Sequence, residues 1–91
     1  MILPKKIRVG LHDVTVIRKD PNDTGAGYWV TKENKMCIND EYPHSQQVTT
    51  FLHEVLHALN YELPHEQVEW IAQGLAQVII DNKIDFKENK E

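Results

Sequence analysis

One cysteine, Cys37, stands among the 91 residues. That leaves no internal disulfide and fits a reducing compartment, with the cytoplasm as the expectation. Positive charge is not in excess: 10 Lys and Arg against 14 Asp and Glu give a net charge of -4. No basic stripe is present, so no nucleic-acid partner is expected, and Lys5, Lys6 and Arg8 read as solvated strand positions. Long hydrophobic runs are missing too. Met1-Ile2-Leu3-Pro4-Lys5-Lys6 has no extended apolar stretch after a basic start, so neither a signal peptide nor a membrane span is expected. With no repeat, low-complexity block or interdomain linker, residues 1–91 read as a single domain. The core of so small a domain is modest, and a bound metal would help to hold it.

Against these absences stands His53-Glu54-Val55-Leu56-His57. Two histidines four positions apart lie one turn apart on a helix, so their ring nitrogens can converge on one ion. A carboxylate next to the first histidine can take a proton from a metal-bound water. This is the HExxH pattern of zinc metallopeptidases, which puts two ligands and a general base into five residues. The flanks suit a helix buried on most sides, because from Val48 to Tyr61 the only Asp, Glu, Lys or Arg is Glu54.

Periodicity places the motif. Ile7, Val9 and Leu11 alternate with polar or small residues, His12-Asp13 reads as a turn, and Val14–Arg18 is β-branched, which predicts a hairpin. Lys19 to Gly27 is turn-rich. Tyr28–Thr31 and Met36–Asn39 read as two further short strands, with the second a candidate edge strand over the site. Ser45 is the expected N-cap of a metal helix over about 45–61, which Glu62-Leu63-Pro64 ends. A second helix is expected over about 65–82, with an apolar stripe of Val68, Ile71, Ala72, Leu75 and Ile79, then a charged tail over 83–91. The expected fold is α+β: a small antiparallel sheet of three to four strands over about 5–39, followed by two packed helices.

A catalytic zinc site takes three protein ligands and keeps one position for water. The candidates for the third ligand are Glu62, His65, Glu66 and Glu69. Leu63 stands six residues after His57, which excludes the longer metzincin pattern. At about 100° per residue, Glu69 falls on the edge of the apolar stripe beside Ala72 and Ala76, small residues that let the helices approach. Glu69 therefore ranks first, Glu66 second, and His65 third, at the helix start. For the oxyanion, Tyr61 lies one turn beyond His57, and Tyr42, His44 and His65 are further candidates. Trp29 and Trp70 read as packing residues and Cys37 as a core residue.

The run Thr50-Phe51-Leu52-His53-Glu54-Val55-Leu56-His57-Ala58-Leu59 resembles the active-site helix of zincins. The segment Glu69-Trp70-Ile71-Ala72 is similar to the glutamate helix of gluzincins. Over residues 5 to 82 the layout resembles short phage- and prophage-encoded zincin-like proteins related to ImmA/IrrE-type metallopeptidases. The resemblance implies a minimal zincin-like fold and a Zn2+ cofactor. It also implies metal ligands His53, His57 and Glu69, with Glu54 as general base and a peptide or protein substrate. Larger relatives carry substrate-binding parts that this chain lacks. The alternative expectation is therefore a non-catalytic zincin-like metal-binding module acting through protein–protein contacts.

Overall fold

The computed structural model describes residues 3–60 and 62–86. Strands β1 (Lys6–Val9), β2 (His12–Ile17), β3 (Gly27–Val30) and β4 (Lys35–Ile38) precede helices α1 (His44–Leu59) and α2 (His65–Asp81). This is the expected α+β arrangement. The sheet order is β1-β2-β4-β3. β1 pairs with β2, and β3 with β4, in antiparallel fashion. β2 and β4 run parallel, so the sheet is mixed. The long loop after β2 carries the chain past the position of β4, and the β3–β4 hairpin then returns beside β2. β3 is thus an edge strand and β4 an interior one, the reverse of the expected role of Met36–Asn39.

The first hairpin turns at Gly10-Leu11, with Val9 and His12 as the closing pair. Gly10 has φ 60°, a left-handed conformation suited to the first central position of a two-residue hairpin turn. His12 and Asp13, expected in the turn, therefore begin β2, and Leu11 is exposed at the tip.

Val9, Val14, Val16, Met36 and Ile38 form the buried face of the sheet. Phe51, Val55 and Ala58 of α1 pack on it, as does Trp29. These α1 positions recur every three to four residues, which is one face of a helix. A polar clamp fixes the start of α1. Arg18 donates through Nε to the Ile38 carbonyl at 3.0 Å and through Nη2 to Gln47 Oε1. Gln47 Nε2 in turn donates to the Tyr42 carbonyl at 2.8 Å. Strands β2 and β4 and helix α1 are thereby tied together, with buried polar atoms satisfied. Pro43, not Ser45, occupies the N-cap position; Ser45 lies inside the first turn, where its carbonyl accepts from Thr49 Oγ1.

α2 packs along α1 through Val68, Ala72 and Ala76, all buried. Ile71 and Leu75, expected in this stripe, are exposed instead. The contact has rotated toward the alanines because small side chains permit the closest approach of two helices.

Candidate metal centre

His53 and His57 lie on the side of α1 that faces α2, each half-buried. Their Nε2 atoms are 3.0 Å apart. Two imidazoles on one tetrahedral ion, at about 2.0–2.1 Å each, stand roughly 3.3 Å apart, so the pair as found is close to ligating separation. The third member of the cluster comes from the first turn of α2. The ring centroid of His65 is 4.9 Å from that of His53 and 5.6 Å from that of His57. One ligand atom from each of His53, His57 and His65 lies within 4.8 Å of the others.

Among the described residues this is the group that could hold a metal ion. It differs from the expected order of third ligands. Glu69 lies beside the cluster, with Oε2 3.9 Å from His65 Nε2, and lines the cleft that also contains His53 and Glu54. His65 reaches the cluster because α2 starts directly after Pro64 and its first turn overhangs the last turns of α1. Reading helical angle alone missed this, since an angle ranks positions around a helix and says little about which turn meets the neighbour. Glu62 and Glu66 are exposed and stand outside the group.

The electrostatics suit a cation. Burial lowers the pKa of His53, helped by His57 and His65 and partly opposed by Glu69. Burial also lowers that of His57, with His65 adding to it. Both rings are thus held in the neutral form that a metal requires. Glu54 is 5% exposed, and burial raises its carboxyl to about 7. A carboxyl poised near neutrality is matched to accepting a proton and returning it. It opens on two adjoining concavities. One, of about 430 Å³, runs between α1 and α2 past Gln46, Thr50 and Gln73. The other, of about 300 Å³, is bounded by Gly27, Tyr28 and Trp29 of the edge strand.

Gly27 lets that edge approach α1. A Cβ there would collide with the Cys37 carbonyl and the Thr50 methyl group. Tyr28 is committed elsewhere: its hydroxyl donates to Asp20 Oδ2 at 2.6 Å, and that bond raises its pKa. Of the expected oxyanion groups, Tyr61 lies outside the described residues. Tyr42 donates to the Thr24 carbonyl at 2.8 Å. His44 lies at the opposite end of α1 from the histidine cluster. His65 alone among the described candidates stands at the site. Cys37 is buried, as expected, and burial raises its thiol pKa. Trp29 packs against the core, but Trp70 is 79% exposed and does not pack as expected.

Comparison with protein-family models, with curated proteins and with solved structures gives no match. No helix among the described residues is long and apolar enough to cross a membrane. The functional reading therefore rests on the site itself.

Proposed function

We propose that this protein is a zinc-dependent metallopeptidase of the HExxH type. The observation that carries the reading is the joint presence of converging imidazoles from His53, His57 and His65 and a buried carboxyl, Glu54, beside them. His53 and His57 would anchor the ion, and α2 would complete the set through His65, with Glu69 as the competing ligand one turn on. A bound zinc ion supplies Lewis acidity and brings the pKa of a water toward neutrality. Glu54 accepts the proton of the attacking water and hands it to the leaving amine. A structural zinc site fills its four positions with Cys or His and has no use for such a base. The only cysteine is buried in β4, away from the cluster.

The strand beside the site supports a peptide as the substrate. β3 pairs with β4 on one side only and borders the concavity that contains His53 and Glu54. An extended peptide can add to such an edge by backbone hydrogen bonds, with little demand on its sequence. The resemblance to short phage zincin-like proteins and a cytoplasmic location belong to this same proposal, the latter supported by the lone buried thiol.

A second reading, a non-catalytic metal-binding module acting through protein contacts, is favoured by the exposed apolar face of α2. Zinc-loaded wild type and Glu54→Gln, assayed on a mixed peptide pool, separate the two. The peptidase reading expects equal zinc binding and at least a hundredfold loss of cleavage in the variant. Zinc binding in both proteins with cleavage in neither would assign the module.

A further inference from the structure

Three concavities adjoin one another along β3. The middle one contains His53, Glu54, His57 and His65. It shares Gly27, His53 and Glu54 with the cleft of about 430 Å³ at the start of the strand. It shares Trp29 and His57 with a further cavity of about 510 Å³ toward the strand's other end. The two ends differ in chemistry. Beside Gly27 the walls are polar, with Gln46, Thr49 and Gln73. Beside Trp29 they are apolar, with Val9, Leu11, Ala58 and Leu59. Leu11, at the tip of the first hairpin, is 86% exposed, and Leu59, the last residue of α1, is 58% exposed. Neither belongs to the buried core, and both border this cavity.

Strand geometry connects these cavities to a bound peptide. Side chains alternate along a strand, so Gly27 and Trp29 share one face and Tyr28 takes the other. The shared face is the one toward α1: a Cβ on Gly27 would meet Thr50, and Trp29 packs on the core with Phe51 and Val55. A residue on an added strand projects to the same face as the residue it pairs with. A peptide on β3 therefore sends the residue opposite Gly27 to the polar end and the residue opposite Trp29 to the apolar end. The two are two positions apart, and the backbone between them passes the histidine cluster. We infer that the apolar cavity is the specificity subsite of this site, taking a bulky apolar side chain on the amino side of the cleaved bond. The inference rests on the peptidase reading. Antiparallel pairing, the more stable arrangement per residue, runs the peptide from Trp29 toward Gly27, so the apolar residue precedes the bond at the metal centre. Backbone pairing selects no sequence, and selection falls to this cavity. Burial of a side chain against Leu11, Trp29 and Leu59 favours Leu, Met or Phe over Ser or Asp by at least tenfold.

Cleavage of a mixed peptide pool by the zinc-loaded protein, read by mass spectrometry, tests the inference. Leu, Met or Phe is expected at the first or second position before the cut, at least tenfold above Ser or Asp. Leu59→Asp is expected to reverse this, raising Lys over Leu at the same position, a gain that a folding defect does not produce. A second readout needs no catalysis. Zinc-loaded Glu54→Gln is titrated into a labelled peptide of alanines and serines carrying one leucine, and into the same peptide with serine in its place. The leucine peptide is expected to bind at least tenfold more tightly by fluorescence anisotropy. Cleavage with no apolar preference before the cut, or with one only after it, overturns the inference and leaves the peptidase standing. A preference that Leu59→Asp does not alter also overturns it. Selective binding of the leucine peptide with no cleavage by the wild type keeps the apolar cavity as a peptide site and overturns the peptidase. Neither binding nor cleavage overturns both.

Discussion

At the scale of single residues, the proposed chemistry rests on Glu54 and three histidines. Glu54 makes a prediction about stability that needs no substrate. Its carboxyl is raised from 4.5 to about 7 by burial, so between those values the folded state holds more protons than the unfolded one. Stability of the metal-free protein from this group is complete below pH 4.5 and falls as pH rises toward 7. The fall is on the order of 3 kcal/mol. The half-buried His53 and His57 act in the opposite sense, since their lowered values cost stability as pH drops below 6.5. Urea denaturation at several pH values in chelator, comparing wild type with Glu54→Gln, cancels the histidine contribution. The difference is expected to open between pH 5 and 7 in favour of the variant, and a pH-independent difference would contradict burial of an ionisable carboxyl there. The histidine pair and the carboxylate were legible in the sequence because i and i+4 spacing is a property of any helix. That His65, ranked third among the candidate ligands, is the one that joins the histidine cluster was not, because it depends on where one helix begins relative to another.

At the scale of elements, two small-residue contacts set the site. Gly27 keeps β3 close to both β4 and α1, where a Cβ would meet the Cys37 carbonyl of β4, which cannot rotate aside, and the Thr50 methyl of α1. Gly27→Ala is expected to cost about 1–3 kcal/mol, seen as a lower urea midpoint, and an unchanged midpoint would show that the strand has room to move. Ala72, buried between the helices, spaces α2 from α1. Ala72→Leu is expected to destabilise by a similar amount and to weaken zinc binding at least tenfold, because His65 and Glu69 ride on the displaced helix. Calorimetric titration checks the second part. The helix boundaries were legible from Pro64 and the apolar period to within two residues, although the start of α1 was read from Ser45 and the N-cap position belongs to Pro43. The turn at Gly10-Leu11 was not read, since Leu11 continued an alternating pattern and only the glycine's positive φ interrupts it. The edge role of β3 was hidden as well: strand order arises from the parallel pairing of β2 with β4, a long-range choice that no local pattern encodes.

At the scale of the molecule, the fold is a small sheet that presents one helix and a second helix that closes over it. The buried sheet core is a handful of valines with Met36 and Ile38, so an ion joining α1 to α2 would add a cross-link to a domain with a small core of its own. Saturating zinc at about a hundred times its dissociation constant adds roughly 2.7 kcal/mol, which for a domain this size raises Tm by about 10–20 °C. Differential scanning calorimetry with and without chelator measures it.

The most direct test of the account is stoichiometric metal binding by the wild type, His57→Ala and His65→Ala. Calorimetric titration of zinc into chelator-treated protein is expected to give one ion per chain, abolished in His57→Ala. In His65→Ala it is expected to weaken by at least tenfold. A wild type that takes up no zinc, or one whose binding is untouched by loss of His57, would contradict the metal centre and the hydrolase built on it.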